Sequence, residues 1–120
     1  MNPPVYQALN IGAVTALVGS RIYPNGHAPQ GVQRPYITWQ IVGGGPLNNL
    51  SDDPDMDDSR VRVWVYSEET AGSAAAKALA LTVRNALEAE THVTFGPVSE
   101  FDSEAKLFVW IMDAEFWTPR

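Results

Sequence analysis

The stretch from Ser59 to Ser67, SRVRVWVYS, constrains the fold more than any other part of the chain. Valine occupies positions 61, 63 and 65, while arginine, tryptophan and tyrosine occupy the positions between and beside them. Because successive side chains of an extended chain point to opposite sides, this alternation predicts a β-strand with one face in a hydrophobic core.

The segment that follows this strand predicts the clearest helix of the chain. Acidic residues at 68 and 69 suit its positive end, and apolar residues recur at the spacing of helical turns. This apolar stripe consists of Ala75, Leu79, Val83, Ala86 and Leu87. The many alanines permit close packing on a sheet.

A second amphipathic pattern predicts a helix from Pro4 to Val18, which Gly19 ends.

Three further segments have the composition of strands. The segment 36–42, YITWQIV, is rich in β-branched and aromatic residues. The segment 92–101 is interrupted by Gly96 and Pro97, as at a sheet edge or a bulge. The last segment, 106–117, is apolar on both faces as far as Met112, which indicates a covering layer on each side.

These elements follow one another as helix, strands, helix and strands, without regular βαβ units. A chain of 120 residues with 45% hydrophobic residues is predicted to form one domain, 1–120. The predicted fold class is α+β, with a mainly antiparallel sheet and two helices packed on one face.

Two helices on one face leave one apolar side of the last strand uncovered. The candidate sides are Phe108 with Trp110 and Met112, or Leu107 with Val109 and Ile111. A large apolar patch on a small protein usually marks a partner surface, so the first set is predicted to lie in an oligomer interface. The alternative is a curled sheet that covers its own face, and both interpretations stay open at this point.

The acidity of the chain is concentrated in one segment. The net charge is −6, from 14 acidic and 8 basic residues, and five of the acids lie between positions 52 and 58. They are Asp52, Asp53, Asp55, Asp57 and Asp58, and they are predicted to be interaction residues. The segment 43–58 has no periodicity and predicts a long functional or disordered loop. The rest of the chain is nearly neutral, which argues against direct nucleic-acid binding.

Three of these aspartates, at alternate positions 53, 55 and 57, match the first half of a calcium-binding loop. The second half does not match, because the glycine and glutamate that such a loop requires are replaced by Asp58 and Trp64. No specific metal site or cofactor is therefore predicted, although weak cation binding by clustered carboxylates stays open. A small acidic metal-binding domain, or a metal-dependent enzyme of unknown substrate, is the alternative function.

The remaining candidate groups do not form a catalytic constellation. The chain has no cysteine, and neither His27 nor His92 has a second metal ligand at a suitable spacing. Ser73 lacks the glycines of a nucleophile elbow. Asp113 and Glu115 lie near a strand end and are interpreted as solvated acids. We therefore predict no catalytic residues and no enzyme activity.

Several segments, taken in order, resemble the small tail completion proteins of long-tailed bacteriophages and prophages. They are VTALVGSRIYP at 14–24, APQGVQRPYITWQIV at 28–42, RVRVWVYS at 60–67, TAGSAAAKALALTVRNALEA at 70–89 and DAEFW at 113–117. The first two are the most telling, with a glycine and three prolines that set turns around the first strands. These are Gly19, Pro24, Pro29 and Pro35. The resemblance extends over nearly the entire chain.

The resemblance implies an α+β fold akin to the tail terminators, which form a hexameric ring at the head-proximal end of the tail tube. Such a ring ends tube polymerisation and contacts the tail tube protein and the head-tail connector protein. It also implies a structural protein of the virion tail or neck, assembled in the host cytoplasm, with no membrane partner. DNA would pass through the lumen without specific binding, and the aspartates of segment 43–58 would face the DNA or a basic surface of the next ring.

Overall fold

The computed structural model describes residues 4–47 and 56–119, and the side chains within 4–44 and 58–117. Its helices are α1 (Val5–Leu9), α2 (Gly12–Val18) and α3 (Ser73–Glu90), with short 3₁₀ turns at Pro24–Gly26 and Glu69–Ala71. Its strands are β1 (Ile22–Tyr23), β2 (Tyr36–Leu47), β3 (Met56–Glu68), β4 (His92–Asp102) and β5 (Leu107–Pro119).

The strands form one sheet in the order β1-β2-β3-β5-β4. The short strand β1 runs parallel to β2, and the other neighbouring pairs are antiparallel. The predicted α+β class with a mainly antiparallel sheet is therefore confirmed. The long strand β3 lies at the centre, where β2 and β5 pair with it along almost its whole length.

One face of the sheet forms a single hydrophobic core with the three helices. Val61, Val63 and Val65 of β3 are fully buried there, as the alternation of the sequence predicts. The helices contribute apolar side chains to the same cluster, namely Val5, Ala8, Leu9, Val14, Val18, Leu79, Ala80, Val83, Ala86 and Leu87. We call this side the helix face and the opposite side the open face. This close-packed core makes the sheet a rigid support for the side chains of the open face.

The first predicted helix, from Pro4 to Val18, is wrong as a single element, because the chain breaks it at Asn10 and Ile11. The Asn10 N–H donates to the Tyr6 carbonyl and ends α1, and Ile11 is extended with φ −120° and ψ 157°. The glycine that begins α2 has a low helix propensity, which favours a restart at this point. The break lets both short helices bury their apolar residues in one core.

The predicted long loop at 43–58 is largely wrong as well. Strand β2 continues to Leu47 and β3 begins at Met56, and residues 48–55 of this segment lie outside the described residues. The β5 residues 116–119 pair with β3 residues 56–59 and add a third strand to this extension. We call this three-stranded extension the arm. Glycines at 43–45 carry no side-chain signal, which explains why the sequence showed no strand period there.

The connector, residues 24–35, covers part of the open face. Its 3₁₀ turn packs on β2, and a Cβ added at Gly26 would lie 3.3 Å from Gln40 Oε1 and 4.0 Å from the Trp64 ring. The Arg21 Nε atom donates to the Pro35 carbonyl at 2.9 Å and holds the end of the connector against the start of the sheet. The open face is therefore partly closed by the chain itself.

Candidate functional site

The arm is the first candidate for interaction, and glycine makes its close strand pairing possible. Gly44 has φ 131°, and a Cβ at this position would lie 2.1 Å from the Asp58 carbonyl oxygen. Only glycine tolerates this approach without displacing a strand. Of the five predicted interaction aspartates, Asp57 and Asp58 lie in β3. The other three, Asp52, Asp53 and Asp55, lie outside the described residues.

Two carboxyl groups meet on the open face at the root of the arm. Asp58 lies on β3 and Glu115 on the paired strand β5, where Asp58 faces Trp117 and Arg60 faces Glu115. Hydrogen bonding to Asp58, burial and the charge of Asp58 all raise the pKa of Glu115, while Arg60 and His92 oppose the increase. Asp58 Oδ1 is itself buried with no partner among the described residues. The contact brings two acidic side chains together where the arm leaves the body, beside Arg60 and His92.

Next to this carboxyl pair, Arg62 and Asp113 form a bidentate ion pair across β3 and β5. Arg62 Nε donates to Asp113 Oδ1 at 2.8 Å, and Arg62 Nη2 donates to Asp113 Oδ2 at 3.1 Å. This hydrogen bonding and the charge of Asp113 raise the pKa of Arg62 above its ordinary value. The interpretation of Asp113 as a solvated acid is wrong, because the residue is buried and paired. Only the cross-strand register reveals its partner.

The residues predicted for the oligomer interface lie on the helix face of β5. Met112 is fully buried in the core and therefore has no surface to offer a partner, which corrects its assignment. Trp110 is partly buried and packs against the same core. Phe108 lies at the end of the strand, where its ring contacts the Phe101 ring with centroids 5.1 Å apart. A role of Phe108 and Trp110 in an interface stays a prediction.

The alternative set on β5 is largely covered. Leu107 and Val109 are buried, and Ile111 is partly exposed. Exposed large apolar side chains lie on β4 and β2, and also on the first two helices, between them and at one position of β5: Phe95, Val98 and Phe101; Ile41 and Val42; Tyr6, Ile11 and Leu17; and Trp117. Strand β1 pairs with β2 only at Ile37 and Thr38. Within the described residues, therefore, both β4 and most of β2 have one open edge.

A cavity of about 380 Å³ lies between the connector and the open face. Its lining includes His27 and Arg34 from the connector, Tyr36 and Thr38 from β2, and Tyr66 from β3. The rings of Tyr36 and Tyr66 are stacked, with centroids 4.5 Å apart and an interplanar angle of 16°. Burial, and then the neighbouring Tyr66, raise the pKa of Tyr36, against an opposing effect of Arg34. The Tyr36 hydroxyl is therefore protonated at neutral pH.

A second cavity, of about 430 Å³, lies at the start of α3. Its lining is mainly apolar and includes Leu17, Pro35, Ala75 and Leu79. Arg34 lies between the two cavities, and its Nη1 atom donates to Glu68 Oε1 at 3.1 Å. The connector thus borders both cavities, although the sequence predicted it only as a turn-rich segment of the family pattern.

Across 4–47 and 56–119, no group of three or more histidine or acidic side chains is arranged to hold a metal ion. The described helices include none that is both long and apolar enough to cross a membrane. The three titratable clusters of the open face are two ion pairs and one carboxyl pair.

Comparisons with known proteins indicate a family for nearly the whole chain. Residues 3–119 match the family described as tail completion protein gp17. A search of curated proteins returned no match. One similar solved structure is a chain from the virion of a native gene transfer agent particle, with 20% sequence identity and a TM-score of 0.72. The alignment covers 97% of this chain and 92% of that chain, and it establishes the fold.

The family match spans nearly the whole chain and confirms the resemblance predicted from the sequence. It also confirms the predicted place of the protein in the virion tail. The chain belongs to the family of tail completion protein gp17, which consists of structural phage tail proteins.

Proposed function

We propose that this protein forms a closed ring at the head-proximal end of the tail tube, ends tube polymerisation and joins the tail to the head connector. Family membership supports a structural role in the tail. The observation that supports the ring is the position of two strand edges, on opposite sides of one sheet, that no other described strand covers.

Both edges have features that suit a head-to-tail contact. Strand β4 ends the sheet on one side, and β2 beyond Thr38 is the outer strand on the other. Both carry exposed apolar side chains, among them Phe95, which is 49% exposed, and Ile41, which is 41% exposed. Unpaired backbone groups at a strand edge readily bind the edge of another strand.

A contact between two different edges repeats from copy to copy, and it closes into a ring when the rotation between copies allows it. Burial of Phe95 and Ile41 in each contact would remove apolar surface from water. The number of copies, six, is the number that the tail terminators use. The tail tube protein and the head-tail connector protein would contact the two flat sides of this ring.

The arm would supply the charge of the ring. Five aspartates lie between positions 52 and 58, and the described Asp58 already adjoins Glu115 at the arm root. A circle of negative arms would repel passing DNA, or would contact a basic surface of the adjoining ring. In this role the protein needs no catalytic residue, metal or cofactor, because its function is structural.

Electron microscopy of tails from a phage that lacks this gene tests the role. Tails of uncontrolled length indicate a terminator, and tails of normal length that are unattached to filled heads indicate a joining protein. Normal particles with attached tails would contradict both parts of the proposal. Complementation with a variant in which the five aspartates are replaced by asparagine tests the arm, and unchanged infectivity would remove it from the proposal.

A pair of edge variants tests the ring. Phe95→Lys blocks the β4 edge and Ile41→Lys blocks the β2 edge, so neither variant alone should form rings in the presence of tail tube protein. A mixture of the two should form dimers and nothing larger, because each dimer joins the two intact edges. Light scattering after size exclusion measures the masses. Tyr6→Lys, at an exposed position on α1, is the matched control and should assemble normally.

A further inference from the structure

The second cavity, at the start of α3, is an apolar groove that the fold leaves open to solvent; we call it the α3 groove. Three alanines of its lining, Ala71, Ala75 and Ala78, are exposed. Leu17 of α2 lines the groove as well and is 45% exposed. The groove volume, about 430 Å³, lies within the range of sites that bury a ligand or a large side chain.

Phe101 on β4 is an exposed aromatic side chain that the fold holds in place. It is 46% exposed, and its ring contacts the Phe108 ring with centroids 5.1 Å apart. Asp102 holds the turn that follows, because the N–H groups of Glu104 and Ala105 both donate to Asp102 Oδ1 at 3.1 Å. An apolar side chain that is already oriented loses little freedom when it binds a partner.

The strand register puts Phe101 and the α3 groove at one level of the sheet and on one face. Phe101 pairs with Phe108, and Phe108 pairs with Ser67. Paired residues project from the same face, which is here the helix face. Ser67 lines the α3 groove, and so does Pro35, the residue before β2. The groove therefore lies on the β2 side of this row of residues, and Phe101 lies on the β4 side.

A ring that joins the β4 edge of one copy to the β2 edge of the next brings these two features together. Rotation about an axis parallel to the strands keeps every residue at its level and on its face. Phe101 of one copy therefore arrives beside the α3 groove of the next copy. Strands β2 and β4 run in opposite directions in the sheet, so the two edges meet as an antiparallel pair.

The same placement of neighbouring copies also serves the proposed edge contact. Phe95 pairs with Asp113, and Asp113 pairs with Arg62. Arg62 in turn pairs with Gln40, which precedes Ile41 in β2. Phe95 of one copy thus arrives level with Gln40 and beside Ile41 of the next. One rotation satisfies both contacts.

The charges around the groove are compatible with this occupant. Glu100 and Asp102, which flank Phe101 in β4, are both exposed. The charged residues of the described groove lining are Arg34 and Glu68, which pair at 3.1 Å. The lining therefore presents no uncompensated negative charge to the acids beside Phe101. The Arg34 side chain is 34% exposed, and its guanidinium has several N–H donors for an approaching carboxylate.

We propose that the α3 groove receives the Phe101 ring of the neighbouring copy. This inference rests on the ring proposed above, and it names the side chain and the groove that hold neighbouring copies together. Burial of an aromatic ring removes a large apolar area from water, and a few such side chains carry most of the binding energy of an interface.

Two variants test the two sides of the contact. Phe101→Ala removes the ring, and Ala75→Trp fills the groove. Each should weaken assembly on tail tube protein at least about tenfold, measured by light scattering over a range of concentrations. The double variant should assemble no more weakly than the weaker single variant, because both changes remove the same contact.

Each variant has a matched control. Tyr6→Ala removes an exposed aromatic ring from α1, and Ala74→Trp adds the same indole to an exposed position of α3 outside the groove lining. Both controls should assemble normally. The melting temperatures of the isolated Phe101→Ala and Ala75→Trp variants should stay near that of the wild type, since both positions are exposed.

A disulfide tests the contact directly, since the chain has no cysteine of its own. A chain with both Leu17→Cys and Phe101→Cys should form covalent bonds between copies when assembled rings are oxidised, and reduction should break them. Tyr6→Cys combined with Phe101→Cys is the control and should leave the copies unlinked.

The outcomes separate this contact from the ring itself. Rings that form normally from Phe101→Ala or Ala75→Trp would overturn the contact and leave the ring standing. Rings of the Leu17→Cys and Phe101→Cys chain that stay unlinked after oxidation would overturn it in the same way. Wild-type protein that does not assemble on tail tube protein would overturn both the ring and the contact.

Discussion

On the helix face of β3, Val61, Val63 and Val65 are fully buried against apolar side chains, whereas on the open face Arg62 binds Asp113 and Trp64 lies beneath the connector. The same strand therefore supports two kinds of packing. Hydrophobic burial is not directional and needs only shape and volume, while the ion pair and the cavity need particular atoms in register. Hydrophobic burial is concentrated on the helix face, and directional polar contacts lie on the open face.

The largest effect is expected from a cavity in the core. Leu87→Ala removes a fully buried side chain of α3 and should lower the free energy of unfolding by about 3 kcal/mol. Chemical denaturation measures the change. Leu17→Ala is the matched control, because Leu17 is exposed, and it should cost less than about 1 kcal/mol. Equal losses in the two variants would show that the helix face is not the stable half of the molecule.

A smaller effect is expected from the ion pair of the open face. Arg62→Gln leaves the Asp113 carboxylate, which is 7% exposed, without its partner, and should cost about 1–3 kcal/mol in chemical denaturation. Solvent reaches the 40% exposed Arg62 side chain, which places the cost below that of a deeply buried pair. Arg84→Gln, on the surface of α3, should be nearly neutral. A neutral Arg62→Gln variant would remove the pair from the forces that hold the β3–β5 register.

A local effect is expected from the arm. Gly44→Ala places a methyl group against the Asp58 carbonyl in a strained conformation, at a cost of about 1–3 kcal/mol. Faster amide exchange at Asp58 and Ser59, with the core amides unchanged, is the expected result. Gly43→Ala is the control, because its methyl group would meet only the Arg60 side chain at 3.6 Å. If the two variants exchange alike, the close approach of the strands does not hold the arm.

The smallest effect concerns the carboxyl pair at the arm root. Contact with Asp58 raises the pKa of Glu115 above its ordinary value of 4.5, so the folded state binds this proton more tightly than the unfolded state does. Glu115 should therefore lower the stability as the pH rises from 4.5 through the raised pKa. Glu115→Gln should remove this contribution in pH-dependent denaturation, and Glu100→Gln should not. An identical pH profile in wild type and Glu115→Gln would contradict the contact.

Local sequence patterns predicted the hydrophobic core well, because buried apolar side chains recur at a regular spacing along a strand or helix. The valines of β3 alternate, and the apolar stripe of α3 recurs at helical spacing, so both elements and their buried sides were predicted from neighbouring residues alone. The same reasoning was wrong where apolar residues show no regular spacing, or where both sides of a strand are apolar. Glycines 43–45 have no side chains to show an alternation, so the strands of the arm were not predicted. Strand β5 is apolar on both sides, so its sequence does not distinguish whether Met112 or Ile111 faces the helices.

The sequence by itself determined the α+β class, the buried face of β3, the family and the concentration of negative charge in one segment. Only the tertiary structure decided that Met112 lies in the core, that Asp113 pairs with Arg62, and that Thr38 and Arg34 line one cavity. The reason is that helix and strand periods depend on neighbours a few residues apart. The register of paired strands and the path of the connector join residues that are distant in the chain.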